Sequence, residues 1–194
     1  MTGKLSRLSV LGAAVGLSLL CDAAAWAAPD TPTLTQVGAT AIVYRGDQID
    51  VALSYRYAKL NPEGRWLLLD TAMTAATDPI EVPRTAIWLR IPDGRVVPLA
   101  TQEEFGRDYP QLAAMIARAN ITREPLGYLT PQRPRLIRFF AERGRGLAWP
   151  STWLDQWHNN FGRLFFRIPD GIQKGDYQLL IRLSKGEAAI PFTI

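Results

Sequence analysis

Apolar and polar residues alternate with a period of two over much of the chain beyond residue 36. This period places every second side chain on the same face of an extended backbone, so such a stretch predicts a half-buried β-strand. Short strands separated by Gly, Pro and Asp turns are typical of an antiparallel sandwich. The predicted strands are residues 49–57, 66–70, 87–91, 96–99, 163–168, 177–183 and 188–194. The pattern therefore predicts a mainly β chain that forms one antiparallel β-sandwich.

The pentapeptide RIPDG occurs twice, at residues 90–94 and 167–171. In the first copy Asp-Gly separates two apolar runs, which is a strong hairpin signal. In both copies the proline stands where a strand ends, because proline has no N–H to donate to the next strand. Gly94 and Gly171 are therefore predicted to be structural turn residues, and a role in ligand binding is the disfavoured alternative.

The strand pattern breaks between residues 101 and 160. Leu112, Met115, Ile116 and Ala119 follow helical spacing, and Pro110 is expected in the first turn of that helix. An excursion of about 60 residues is longer than most connections, and such segments often carry function. The prediction is a helical or irregular insertion that either covers one face or end of the sandwich or provides its specific surface.

Four aromatic residues follow one another at intervals of four: Trp149, Trp153, Trp157 and Phe161. This spacing predicts a short helix capped by Ser151 or Thr152, with Trp153 and Trp157 as structural residues packed in the core. Trp149 precedes the predicted helix and is expected to be partly exposed. The alternative is an exposed aromatic platform for sugars or lipids.

Arginines are concentrated in the same insertion. Residues 121–146 contain six arginines against two glutamates. The planar guanidinium fork matches phosphate and carboxylate groups, whereas a solvated face with scattered ion pairs is the alternative. The candidate binding residues for a protein or an anionic component of the cell envelope are Arg133, Arg135, Arg138, Arg143, Arg145 and Trp149.

The N-terminus has the pattern of an export signal. Lys4 and Arg7 precede an uncharged run at residues 8–20, and small residues lead to a predicted cleavage after Ala27 or Ala28. The predicted location is the periplasm or the exterior, with a lipoprotein formed through Cys21 as the less favoured alternative because Leu20 stands where a small residue is expected. The predicted organisation is a signal peptide at 1–27, a polar flexible leader at 28–36 and a sandwich domain at 37–194.

The chain offers little catalytic chemistry. Ser151, Asp155 and His158 resemble a hydrolase triad in composition, but they fall within eight residues, whereas working triads assemble from distant segments. His158 is the sole histidine, and cleavage after Ala27 would remove the single cysteine and lower the formal net charge from +4 to +3. The sequence therefore predicts no catalytic residue, no metal site, no cofactor, no nucleic-acid partner and no transmembrane span after signal cleavage.

The closing segment, PDGIQKGDYQLLIRL followed by AAIPFTI, resembles the last two strands of bacterial immunoglobulin-like domains. The resemblance rests on about 30 residues, with a Gly-x-Tyr before an alternating strand. It implies an immunoglobulin-like sandwich in which the Tyr177 hydroxyl bonds back to the preceding corner.

Together these features predict a non-catalytic, exported envelope protein that binds a macromolecular partner through its Arg- and Trp-rich insertion. Two alternatives are open from the sequence. One is an envelope hydrolase that uses two carboxylates to cut a polysaccharide or peptide. The other is an adaptor that binds anionic lipid or lipopolysaccharide.

Overall fold

The chain is mainly β, as predicted. The computed structural model describes residues 31–62, 64–130, 133–142 and 144–194. The predicted signal peptide, Cys21 and Arg143 lie outside these residues. The strands found in the described residues are β1 Thr33–Val37, β2 Ala41–Arg45, β3 Ile49–Ser54, β4 Trp66–Ala75, β5 Ile80–Pro83, β6 Ile87–Arg90, β7 Val96–Pro98, β8 Pro134–Leu136, β9 Ser151–Leu154, β10 Asn159–Arg167, β11 Asp176–Leu183 and β12 Gly186–Thr193, and the α-helices are α1 Arg56–Leu60 and α2 Gln102–Ile121.

The strands form three sheets. A six-stranded sheet has the order β1-β2-β3-β4-β10-β8, and a four-stranded sheet has the order β12-β11-β6-β7. Strands β5 and β9 form a separate pair. Neighbouring strands are antiparallel except for β8, which runs parallel to β10 at the edge of the large sheet. This pairing confirms the predicted antiparallel architecture.

The main core lies between the two larger sheets. Leu53, Leu69 and Phe166 of the six-stranded sheet pack with Leu89 and Ile190 of the four-stranded sheet, and all five are fully buried. All except Leu69 belong to alternating runs, so the period of two correctly predicted these inward-facing residues. Burial of such a side chain contributes about 1.5–3 kcal/mol each.

The outer face of the six-stranded sheet is covered as well. Helix α2 packs Phe105 and Leu112 against Leu68 and Phe165. The chain after the helix packs Leu126 and Leu129 against Val43, Ala52 and Ala72. All ten residues of β4 are consequently buried, which explains why its sequence is nearly continuously apolar rather than alternating. The insertion thus covers one face of the sandwich, which was one of its two interpretations.

The predicted start of the helix was wrong. Helix α2 begins at Gln102, with Thr101 as its N-cap, and Pro110 lies inside it. The Thr101 hydroxyl accepts the Glu104 N–H at 3.1 Å, and the Glu104 carboxylate accepts the Thr101 N–H at 2.8 Å. This reciprocal capping box fixes the start of the helix at Thr101, well before Pro110. The Thr-x-x-Glu spacing is visible in the sequence and would have placed the helix start correctly.

Three other local predictions were wrong. Residues 101–160 are not helical or irregular throughout, because they contain β8, β9 and the start of β10. Residues Thr33 to Gln36, assigned to the polar leader, lie in β1 and pair with β2. Tyr57, assigned to a strand, lies in the short helix α1.

The two RIPDG corners are turns, as predicted. The Gly94 N–H donates to the Ile91 carbonyl at 2.9 Å, and the Gly171 N–H donates to the Ile168 carbonyl at 3.1 Å. Both glycines have a positive φ, of 89° and 82°, which favours glycine there.

The two corners are also joined to each other. The Arg95 guanidinium donates to Asp93 at 2.7 Å and to Asp170 at 2.6 Å, so the aspartates of both copies bind one side chain. The hydrogen bonds that the Arg95 side chain and the Arg95 backbone N–H donate to Asp93 hold the pKa of Asp93 below its ordinary value. The polar groups of the repeat are therefore used within the fold.

The corner before β11 has the hydrogen bond that the sequence resemblance implied. The Tyr177 hydroxyl donates to the Gln173 carbonyl at 2.7 Å and accepts the Gln173 N–H at 3.0 Å. The ring is buried and stacks on Phe192, with centroids 5.5 Å apart. Tyr177 is thus a structural residue, as predicted.

Candidate binding surface

Exposed apolar side chains are concentrated in one part of the described chain. Nine large hydrophobic residues are exposed among all the described residues. Five of them lie between residues 136 and 157: Leu136, Leu147, Trp149, Trp153 and Trp157. An exposed apolar patch of this kind on a folded domain is typical of an interaction site.

The prediction that Trp153 and Trp157 are core residues was wrong. Trp153 is 58% exposed on β9, and Trp157 is 62% exposed in the turn before β10. In β9 the buried side chains are Thr152 and Leu154, and Trp153 points the opposite way. An interval of four is a multiple of two as well as close to a helical turn, so the tryptophan row fits one face of extended chain. Trp149 is 48% exposed, in agreement with the prediction that it is partly exposed.

Hydrogen bonds of the main chain place these tryptophans beside β8. The Trp149 N–H donates to the Arg138 carbonyl at 2.7 Å, and the Arg84 N–H donates to the Pro150 carbonyl at 2.9 Å. Strand β9 then pairs with β5, with Trp153 opposite Glu81. The tryptophans are therefore presented by a hydrogen-bonded framework and not by a free loop.

A cleft of about 460 Å³ separates the tryptophans from β8. Its walls include Arg135, Leu136, Arg138, Trp149 and Trp153. The Arg138 guanidinium lies over the Trp149 ring, 5.6 Å from its centroid, which is cation–π geometry. We call these five residues together with Trp157 the Arg/Trp surface.

Trp157 is held next to the cleft by an ion-pair cluster. Asp155 accepts the backbone N–H groups of Trp157 at 2.8 Å and of His158 at 2.9 Å. Its carboxylate also contacts Arg135 Nη1 at 3.1 Å and His158 Nδ1 at 2.9 Å. Desolvation raises the pKa of Asp155, but the hydrogen bonds from His158 and Trp157 and the charges of His158 and Arg135 outweigh it, so this pKa lies below its ordinary value.

The three residues that resembled a hydrolase triad are not arranged as one. The Ser151 hydroxyl donates to the Glu81 carboxylate on the neighbouring strand, while Asp155 and His158 bind each other and Arg135. A working triad requires the histidine between the nucleophile and the carboxylate. The geometry supports a structural role for Asp155 and His158.

The predicted arginines are only partly brought together. Arg135 and Arg138 share the cleft with Trp149. Arg145 lies in a neighbouring groove, 3.4 Å from Glu142, with 82% of its side chain exposed. Arg133 is exposed and contributes its carbonyl to Asn159, at 2.8 Å, without lining either depression.

One lining residue of the groove, Arg163, and the buried Asp70 that it contacts were not selected from the sequence. Asp70 on β4 and Arg163 on β10 stand opposite each other in the antiparallel register, with the Arg163 Nε 2.9 Å from the Asp70 carboxylate. Opposite charges across neighbouring strands attract each other, but the register that pairs them is set by the fold. In the sequence, the only sign of this pair is that each of two predicted strands contains a charged residue, one acidic and one basic.

Within the described residues, no cluster of His, Asp and Glu has the arrangement needed for a metal ion. Neither of the two α-helices there is both long enough and apolar enough to cross a membrane.

The chain matches no protein-family model, no curated protein and no solved structure. Its function is therefore inferred from its own residues.

Proposed function

We propose that this chain is a non-catalytic, exported protein of the cell envelope that binds a protein partner through the Arg/Trp surface. The observation that carries the proposal is the exposure of Trp149 and Trp153 at a cleft that also holds Arg135 and Arg138. The exposed Trp157 lies in the turn whose Asp155 binds Arg135. Tryptophan and arginine are the residue types most enriched at the energetic centres of protein interfaces.

The energetics favour a partner that covers the rings. Covering about 100 Å² of each exposed indole would contribute roughly 2.5 kcal/mol per ring. The main-chain hydrogen bonds of Trp149, the β5–β9 pairing and the Asp155 turn hold the rings in place before binding. Binding therefore costs little free energy for ordering this surface.

The hydrolase alternative has less support. A retaining or inverting glycosidase needs two carboxyl groups about 5–9 Å apart in the substrate cleft. None of the described residues that line the cleft is an Asp or Glu. The nearest acidic side chains in the framework, Glu81 and Asp155, are engaged by Ser151 and by Arg135 with His158.

The export part of the proposal rests on the N-terminal pattern of Lys4, Arg7 and the uncharged run at 8–20. In a Gram-negative host, the expected result is a protein shortened by about 27 residues and released with the periplasmic fraction. Full-length protein in the cytoplasmic fraction would contradict it.

Site-directed photo-crosslinking in intact cells tests the surface. A photoreactive amino acid at Leu136, which lines the cleft and is 60% exposed, is expected to capture a discrete protein. A probe at Leu34, which is 48% exposed on β1, is the matched control and should capture none.

The crosslink at position 136 must also depend on the neighbouring side chains. The crosslink should disappear in two variants that carry the probe at position 136, one with Trp153→Ala and the other with Arg138→Glu. Crosslinking that persists in both variants, or that is equal at positions 34 and 136, would remove the proposed role of this surface.

A further inference from the structure

A second depression lies beside the Arg/Trp surface, between α2, the chain after β8 and strand β10. Its volume is about 570 Å³, within the range of sites for small ligands. It shares only Leu136 and Arg138 with the cleft. We propose that this groove binds a small amphipathic anion, a phosphate or carboxylate group attached to an apolar body.

The anionic group is attracted by a fixed excess of positive charge. Among the described residues, Arg123, Arg138, Arg145 and Arg163 line the groove together with one carboxylate, Glu142. The buried Asp70 contacts two of the guanidiniums, so four positive charges of these residues stand against two negative charges, a net of +2. A dianionic phosphate offsets that excess, and a carboxylate offsets half of it.

Asp70 orients the two inner arginines. It is 5% exposed, and the same oxygen, Oδ1, lies 2.9 Å from Arg163 Nε and 3.6 Å from Arg123 Nε. The carboxylate thus accepts a hydrogen bond from Arg163 and forms a longer ion pair with Arg123. A guanidinium has five N–H donors in all, so the half-exposed Arg123 has donors to offer oxygens of a ligand.

The guanidinium of Arg163 is only partly satisfied by the protein. Its Nη2 is buried and has no hydrogen-bond partner among the described residues. A buried donor without a partner destabilises the folded protein, and more strongly when it is charged. An anion bound next to Arg163 places negative charge near this unpartnered donor and offsets part of the destabilisation.

The rest of the groove is apolar and calls for an apolar body on the ligand. Phe105, Phe140 and Phe165 form a triangle of rings with all three centroid distances at 5.0 Å. Leu136 and Leu147 at the rim are 60% and 78% exposed. An inorganic ion would leave the exposed Leu136 and Leu147 side chains in water, whereas an apolar group would cover them.

Gly162 allows the groove to form. A Cβ at this position would lie 2.5 Å from the Cβ of Ile137, so any larger residue pushes the chain after β8 away from β10. The Ile137 N–H donates to the Phe161 carbonyl at 2.7 Å, which seats that chain across the strand. These contacts fix the distance between the chain after β8 and β10, which are two of the walls of the groove.

Isothermal titration calorimetry on the mature protein at low salt tests the proposal with four probes. Phenyl phosphate and benzoate supply the two anionic groups on an apolar body, inorganic phosphate lacks the body, and benzyl alcohol lacks the charge. We expect saturable binding of phenyl phosphate or benzoate, at least tenfold tighter than that of inorganic phosphate and benzyl alcohol. The tighter of the two anions identifies the head group.

Two variants locate the site. Arg123→Gln removes a half-exposed guanidinium and is expected to weaken binding at least tenfold, whereas Arg56→Gln removes an exposed arginine of α1 and should leave it unchanged. Arg145→Gln, at a side chain that is 82% exposed, repeats the test if Arg123→Gln lowers stability. Absence of saturable binding of both aromatic anions, or binding by Arg123→Gln and Arg145→Gln that equals that of the parent, would overturn the inference.

The result is separable from the proposed protein partner. Trp153 lines the cleft and not the groove, so Trp153→Ala should abolish crosslinking at position 136 and leave phenyl phosphate binding unchanged. A loss of anion binding in Trp153→Ala would contradict the assignment of two distinct sites.

Discussion

Two tryptophans on different strands have opposite environments. Trp66, on β4, is 7% exposed, and its Nε1–H donates to Asp108 at 3.2 Å. Trp153, on β9, is 58% exposed. Strand β4 lies inside the six-stranded sheet with layers on both faces, whereas β9 pairs only with β5. The number of layers that cover a strand, and not the residue type, decides whether its aromatic side chains are buried.

The largest expected effect is in the sandwich core. Phe166→Ala removes a fully buried ring between the two larger sheets and is expected to lower the free energy of unfolding by about 3–5 kcal/mol. Urea unfolding followed by circular dichroism measures it. Leu136→Ala, at an exposed position in the edge strand β8, is the control and should change stability by less than about 0.5 kcal/mol. Similar losses in both variants would contradict the contrast between core and surface.

The same contrast explains which parts of the fold were predictable. Strands β6, β11 and β12 alternate in sequence because one face meets the core, and their positions were found from that period. The tryptophan row was misassigned because an interval of four fits both a helix and a strand face, and sequence alone does not show whether a covering layer exists. The capping box of Thr101 and Glu104 could be recognised from the Thr-x-x-Glu spacing, and it would have placed the start of α2 correctly.

The site was predictable only in part, for a different reason. Arg135, Arg138 and Trp149 were selected from composition, and the fold brings them to one cleft. Arg163 and Asp70 were not selected, because their contact depends on the register between β10 and β4, which are separated by more than 80 residues. Long-range register carries no local signal in the sequence.

An intermediate effect is expected at the turn that supports the Arg/Trp surface. Asp155→Ala removes the acceptor of two backbone N–H groups and of Arg135, so it should lower the free energy of unfolding by about 2 kcal/mol. Chemical unfolding at pH 7 measures the loss. An unchanged midpoint would show that the turn forms without these bonds.

The stabilisation by Asp155 should also depend on pH. Because its pKa in the folded protein lies below the ordinary value of about 3.9, the carboxylate stabilises the fold above that pH. The contribution is lost as the pH falls through the folded-state pKa. The difference between the parent and Asp155→Ala should therefore shrink from pH 7 toward pH 3, and a difference that grows on acidification would contradict the assignment.

A smaller effect is expected at the start of the covering helix. Thr101→Ala removes the N-cap of α2 and should cost about 1 kcal/mol, whereas Thr101→Ser keeps the hydroxyl and should cost less than half of that. Thermal unfolding of the two variants measures the difference. Equal destabilisation by both would attribute the loss to the threonine methyl group instead of the capping box.

The smallest effect on stability is expected at the tryptophans themselves, and it is the sharpest test of the comparison. Trp153→Ala and Trp157→Ala remove rings that are mostly in solvent, so each should change the free energy of unfolding by no more than about 0.5 kcal/mol. Trp149→Ala also removes the contact with Arg138 and should cost about 0.5–1 kcal/mol. A loss above about 3 kcal/mol for Trp153→Ala would mean that its ring is buried like that of Trp66, and the surface would then have no exposed aromatic face to offer a partner. Near-silent stability combined with loss of the crosslink at position 136 is the outcome that assigns these rings to binding, because a side chain that contributes nothing to folding but is needed for capture must act on the partner.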